Sequence, residues 1–334
     1  MIKYIIRRVL LAVPVLFGLS IILFAFIHLM PGDPATTILG QHARPELVEA
    51  LRQRLGLDRP IPVQYIEYLG QVLRGDLGYS FVNNRSVIDE FLLRFPATIE
   101  LTVAALLIAA GIGVPLGRFA ARRPQSAGDA AVTVVSLVGI SIPVFVLGLV
   151  LGYIFGVQLQ LLPASGRLDP RLHFEYITGF LLLDSLVSLR LDVFVDALRH
   201  LILPAIVLAT WPLAIITRIT RASVLDVNNE DYVRTARAKG LREGRVDSRH
   251  IMRNAWLPVV TVIGLTVGSL LGGAVITETV FAWSGVGKWM IEAVRSHNYF
   301  VIQNTVLILA IIFLLVNLIV DILYAFLNPR IRYA

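Results

Sequence analysis

The chain has 334 residues, 56% hydrophobic and 16% charged, with a net charge of +7 and a pI near 9.9. A soluble domain runs about 45–50% apolar and about 25% charged, so this composition excludes an ordinary water-soluble fold and makes lipid part of the solvent. The absence of cysteine excludes disulfides and thiolate metal sites.

A hydrocarbon core about 30 Å thick is crossed by about 20 apolar residues in a helix. The first such run, Val9–Leu29, follows the basic start "KYIIRR". It is longer than the about 7–15 residues of a signal-peptide core, and no A-x-A-like cleavage site follows it, so it is expected to remain as a span. The segment 31–98 comes next. "PELVEALRQRLGL" has Pro45 at a helical N1 position and Leu47, Leu51 and Leu55 at helical spacing. "PVQYIEYLGQVLRG" repeats the pattern from Pro62. "GDLGYSF" is a Gly-containing turn, and "SVIDEFLLRFP" reads as a third short helix stopped before Pro96. Together they predict a helical cap rather than a flexible linker. A cap of this kind is either structural or a docking surface for an external partner.

The second run is Leu101–Leu116, extended backwards by Ala97–Glu100. The third, Ala131–Val157, is broken by "GISIP" at 139–143. "FLLL" at 180–183 with the amphipathic stretch to His200 is too short and too charged to span, and is expected on the surface. The fourth run, Leu201–Thr217, contains Pro204 and Pro212; the fifth covers Leu257–Ile276 and the sixth Val301–Val320. The spacing therefore predicts an all-α polytopic membrane protein with six transmembrane helices, at about 9–30, 97–119, 131–157, 199–220, 257–278 and 301–323. Residues 1–95 form the first helix and its cap, and 96–328 the main transmembrane domain.

Six spans put both termini on one side. Residues 1–8, 118–130, 218–254 and 328–334 hold 17 Lys/Arg and 6 Asp/Glu; residues 31–100, 158–200 and 277–299 hold 13 and 16. Lys/Arg enrichment marks the cytoplasmic face, which places both termini and the 222–256 loop inside and the cap outside. The positive charge is then a topology signal and calls for no nucleic acid.

The inner loop holds "DYVRTARAKGL", residues 231–241. Asn228 and Asn229 are candidate N-caps, Glu230 and Asp231 suit the first turn, and Glu230 with Arg234 has i,i+4 spacing. Lys239 falls in the last turn, and Gly240 closes the helix in a left-handed cap. A second basic helix is expected at about 242–254. Ala236, Ala238 and Gly240 carry almost no bulk, which permits close approach to another surface, while Arg234, Arg237 and Lys239 ring that contact. A basic helix resting on anionic lipid is the competing reading.

Catalytic signatures are missing from the sequence. "SGVGKW" at 284–289 lacks the first Gly and the final Ser/Thr of a phosphate loop, with Ala282 and Trp289 at those places. The six His have no metal spacing, and no G-x-S-x-G elbow occurs. His28, Glu100, Glu278 and Asp321 sit near span ends rather than at the bilayer centre, where a charge costs at least about 2.5–3.5 kcal/mol. A proton relay or intramembrane protease would carry such a charge. Pro115, Pro143, Pro204 and Pro212 give several spans breakable points.

"HLMPGDP", "RGDLGYSF", "RFPATIEL", "GISIPVF", "LLPASG", "RHLILPA" and "ITETVFAWSGVG" occur in that order along the chain. With "DYVRTARAKGL", this set resembles the inner-membrane permease subunits of binding-protein-dependent ABC importers, in the dipeptide/oligopeptide group. The 231–241 stretch resembles that group's coupling loop, without the glutamate of the broader E-A-A pattern. Arg234 and Thr235 stand at its first two positions, Ala236 at the third and Gly240 at the Gly. The resemblance implies a type I importer fold, multi-pass in a bacterial or archaeal cell membrane. It also implies a second homologous permease, two cytoplasmic ATPase subunits that hold the ATP and Mg²⁺, and an extracytoplasmic solute-binding protein. The chain itself would carry no catalytic residue, cofactor or metal. Glu230, Asp231, Tyr232, Arg234, Thr235, Ala236, Arg237, Ala238, Lys239 and Gly240 would couple to the ATPase. Asp33, Asp76, Glu100, Ser141, Pro143 and Glu278 are candidates for the translocation path or outer gate. Relatives carrying nickel, glutathione or oligosaccharides share the pattern, and an ion-coupled secondary transporter is the alternative outside the class.

Overall fold

The computed structural model describes residues 2–29, 34–40 and 43–327. Helices dominate, and the chain divides into two compact units: residues up to Phe95 with Lys288–Leu314, and Pro96–Gly287 with the chain from Leu315. Among the described residues five helices are long and apolar enough to cross a membrane, and a sixth candidate is a broken pair.

In the first unit, α1 (Ile2–Leu29) is a span whose apolar side chains are mostly exposed, as lipid contact requires. Three short helices follow: α2 (Pro34–Leu39), α3 (Pro45–Arg54) and α4 (Ile61–Leu73). Pro45 stands at the start of α3 as its spacing predicts; α2 has no counterpart in the sequence reading. Phe24 of α1 is buried and stacks on Tyr68 of α4 at 5.9 Å, and the Ser20 and Tyr65 hydroxyls lie 2.8 Å apart. Burial pushes the Tyr68 hydroxyl up to about 12 and keeps it neutral. The Gly-containing turn leads into a small hairpin, β1 (Tyr79–Ser80) with β2 (Arg85–Ser86), so the fold is not purely helical. Asn298 donates to the Ser80 hydroxyl at 2.9 Å, and Asn304 to the Leu77 carbonyl at 2.9 Å.

The expected helix stop at Pro96 does not occur. α5 runs unbroken from Val87 to Arg122, through both Pro96 and Pro115. A proline removes one ladder bond, but in a membrane bundle neighbouring groups satisfy the freed carbonyl and nothing competes for it as water does. The third span does break. α6 (Ala127–Ser141) and α7 (Val144–Leu151) meet at a bend of 100° at Ile142–Pro143, and α7 continues as a π-helical turn to Gln158. The break falls within "GISIP", where the sequence places it, and the third span is a bent pair beside five long helices among the described residues.

The core of the second unit is α9 (Leu191–Asn228), 38 residues or about 57 Å long. Two-thirds of its most apolar window is buried inside the protein, against about a quarter for α5 and α12. α5 packs on it through small residues: a Cβ at Gly113 would stand 3.0 Å from the Leu213 carbonyl, and one at Gly117 would collide with that of Thr217. The stretch at 180–200 lies at the surface as expected, with Leu183, Val187, Leu189, Leu191 and Val195 exposed, and its other face is buried. α8 (Leu181–Val187) buries Leu181 against Val193 and Ala197, and the rest is the first turns of α9. Amphipathic periodicity marked a face turned to the protein itself.

After α9 come α10 (Asp231–Ala238), α11 (Glu243–Arg245), a π-helical segment Val246–Met252 and α12 (Arg253–Val280). The expected separate basic helix at 242–254 is thus continuous with the fifth span. α13 (Val286–Arg295) and α14 (Tyr299–Leu327) complete the described chain.

Candidate functional site

Charged residues of the second unit gather in two layers. In the first, near one end of α5 and α12, Glu278 is fully buried and accepts the Thr98 hydroxyl at 2.6 Å. That hydroxyl in turn accepts the Val286 N–H at 2.9 Å, and the Trp283 indole donates to the Ala97 carbonyl at 2.9 Å. The glycines of "SGVGKW" wrap the same carboxylate. A Cβ at Gly287 would lie 3.0 Å from Glu278 Oε2 and 2.5 Å from Val275 Cα, and one at Gly285 would overlap the carboxylate. The loop that imitates a phosphate site thus holds the chain's own anion.

Two residues along α5, Glu100 forms a buried ion pair with Arg167 and accepts the Leu182 N–H at 2.9 Å. The Arg167 guanidinium also donates to the Gly179 carbonyl at 2.8 Å and lies within 6 Å of the Tyr176 and Trp283 ring centres. Asp184 secures the neighbouring loop by accepting the Thr178 hydroxyl at 2.6 Å and the N–H groups of Ile177, Thr178 and Gly179. Burial alone would raise its carboxyl; these four donors outweigh that and hold it below 3.8.

The second layer lies about 30 Å away along α5, since Thr98 and Arg118 are twenty residues apart. There Asp247 accepts from both Arg118 (3.0 and 2.6 Å) and Arg122 (2.7 Å). Asp129 takes a two-pronged bond from Arg221, at 2.5 and 2.7 Å. The separation matches the thickness of a hydrocarbon core.

α10 belongs to the second layer. Its N-cap is Glu230, without a side-chain bond; Asn228 ends α9 and Asn229 is that helix's C-cap. The asparagines therefore do not cap α10, because α9 extends to use them. Asn228 instead accepts from Arg237 at 2.7 Å, and Arg237 also pairs with Glu243. Arg234 pairs with Asp231 at 3.3 Å rather than with Glu230. Gly240 takes φ +76° after the C-cap Lys239, the left-handed stop that the sequence predicts. Val233 and Ala236 are buried in the unit's own core, so Ala236 is not available for contact with another surface. The outward face consists of Asp231, Tyr232, Arg234, Thr235, Ala238, Lys239 and Gly240. The Tyr232 hydroxyl accepts from Asn254 at 3.0 Å.

The translocation-path candidates separate. Glu100 and Glu278 share the first layer. Ser141 and Pro143 are exposed at the α6–α7 bend, with the Ser141 hydroxyl donating to Leu137. Asp76 is exposed in a turn, accepting the Gly78 N–H at 3.0 Å. Asp33 lies outside the described residues. The sequence reading missed Thr98, Arg167 and Asp184. Thr98 stands inside "RFPATIEL", and Arg167 is the residue after "LLPASG". The order of those motifs carried the signal, but pairing between segments 67 residues apart is invisible in either one.

Two family models cover nearly the whole chain. The N-terminal one, for the membrane component of binding-protein-dependent transport systems, matches residues 1–102, and the model for the inner membrane component of such systems matches 113–333. The chain is 49% identical over 334 residues to the di/tripeptide transport system permease protein DppB of Pseudomonas aeruginosa, spanning 100% of this chain and 99% of that one. It is 45% identical to the dipeptide transport system permease protein DppB of Escherichia coli K12, over 100% and 99% of the two chains. It is 40% identical over the full length of both chains to the glutathione transport system permease protein GsiC of Escherichia coli O6:H1. The inward-facing MetNI methionine ABC transporter shares the fold at a TM-score of 0.53 and 17% identity, over 71% of this chain and 96% of that one. An apolar helical bundle with ionic layers one membrane thickness apart, matched from end to end by these models, belongs to the family of binding-protein-dependent transport system inner membrane components.

Proposed function

We propose that the chain is a permease subunit of an ATP-driven ABC importer whose cargo is di- or tripeptides. The full-length similarity to permeases named for dipeptides, di/tripeptides and glutathione, itself a peptide, supports the cargo class. The observation that carries the mechanism is α10. It is a short helix on the positively charged side, ended by its own left-handed glycine, with an exposed polar face and its apolar face locked into the bundle. Force applied to the outward face reaches α9 and α12 through Val233, Ala236 and the Arg237–Asn228 bond. In this reading α10 seats in a groove of a cytoplasmic ATPase subunit, both termini are cytoplasmic, and the ATPases alone hold ATP and Mg²⁺. A second homologous permease and an external solute-binding protein complete the importer. The first ionic layer holds the outer ends of the spans in register and has no catalytic part.

The test is reconstitution of the chain with its second permease, ATPases and binding protein in proteoliposomes. Dipeptide uptake should require ATP and the binding protein, and Gly240→Leu should lower the number of peptides moved per ATP. Uptake by the chain alone on an ion gradient would overturn the assignment.

A further inference from the structure

We infer that the second ionic layer contains a binding site for one anionic phospholipid in the leaflet on the α10 side. A cleft of about 430 Å³ opens between α5 and the start of α12, lined by Val114, Pro115, Phe119, Met252 and Trp256 below the Arg118 and Arg122 guanidiniums. A water molecule needs about 10–15 Å³ on such a measure, so the space admits a headgroup and the start of an acyl chain. Its chemistry is split as a phospholipid is split. The wall is apolar, and the rim carries two cations.

The charge balance at the rim is incomplete. Among the described residues Asp247 is the single carboxylate hydrogen-bonded to both arginines, and its three bonds to them go to one oxygen, Oδ2. Two positive charges face one negative charge. Arg118 commits its Nε and one terminal nitrogen, leaving the other terminal nitrogen's donors, and Arg122 commits one nitrogen only. The Arg122 side chain is 56% exposed and that of Arg118 33%. A guanidinium fork with donors to spare matches a phosphodiester. Phe119 and Trp256 are also exposed, at 57% and 41%. Aromatic rings at the end of a span, level with cations about 30 Å from the opposite ionic layer, mark headgroup depth.

The site is read by Trp256 fluorescence in the complete transporter in lipid nanodiscs. Brominated phosphatidylglycerol or brominated phosphatidylcholine is added at low mole fraction, and the same measurement on Trp256→Phe subtracts the other tryptophans. Phosphatidylglycerol should quench Trp256 well beyond phosphatidylcholine. Arg122→Gln, which leaves the Arg118–Asp247 pair in place, should reduce that preference about fivefold, as expected for one basic group near the membrane surface. Ser248→Glu puts a carboxylate at the cleft without touching the arginines and should abolish the preference. Equal quenching by both lipids would overturn the site. So would no quenching by either, which would mean that another subunit covers the cleft. Loss of the preference in millimolar inorganic phosphate would assign the arginines to a free anion instead.

Discussion

The first ionic layer and α10 use charge in opposite ways. In the first layer, Glu278, Glu100 and Arg167 are nearly all buried, each tied to several partners on different elements. On α10, Arg234 and Asp231 keep 71% and 95% of their side-chain surface exposed and touch mainly each other. Buried ionic groups have strict geometry, because removing one partner leaves the other without water to replace it. Exposed ones have little effect on stability and are free to answer to another molecule. Stability and coupling should therefore separate along the length of the bundle.

The sharpest way to break that comparison is Glu100→Gln. It leaves Arg167 buried against a neutral amide, and should cost about 3–5 kcal/mol, seen as loss of monodisperse protein in detergent. Gly287→Ala should follow at about 3 kcal/mol, since the new Cβ meets backbone at Val275; a thermal midpoint like the wild type's would show that the loop does not clamp Glu278. Asp184→Asn should cost about 2 kcal/mol at neutral pH. Because the Asp184 carboxyl sits below 3.8 in the folded chain, its contribution is complete above that value and is lost as pH falls through the lower folded value. The gap in thermal midpoint between the wild type and this variant should therefore close in acid; a gap independent of pH would remove the carboxylate from the account. Gly240→Leu meets no atom within 4 Å of its Cβ, so only the left-handed backbone resists it, at about 1–2 kcal/mol. Arg234→Ala should change stability by less than about 0.5 kcal/mol, yet lower ATP-coupled uptake. Unfolding and uptake measured together on these last two sharpen the contrast, since their effect on coupling should far exceed their effect on the fold.

The spans were legible because a lipid solvent demands long apolar runs, and few soluble patterns imitate them. The Gly240 stop was legible because a left-handed residue has few substitutes. Boundaries set by context were not. Pro96 reads as a stop in water and is carried through in a bundle. Asn228 and Asn229 read as caps, but α9 claimed them first. Ala236 read as a contact residue because small size suits a tight fit on either side of a helix, and sequence does not say which side. The pairing of Arg167 with Glu100 required the loop after α7 to fold back onto α5, which no local pattern encodes.

One consequence lies in the two prolines of α9. Each removes a rung of the hydrogen-bond ladder, so the longest helix has two soft joints, at Pro204 and Pro212. They are eight residues apart, which at 100° per residue turns the second joint about 80° from the first. Two hinges with nearly perpendicular axes on one shaft make a universal joint. The half of α9 next to α10 is also the half that α5 grips at Gly113 and Gly117 and that Asp129 holds through Arg221, so bending at these joints carries those neighbours with it.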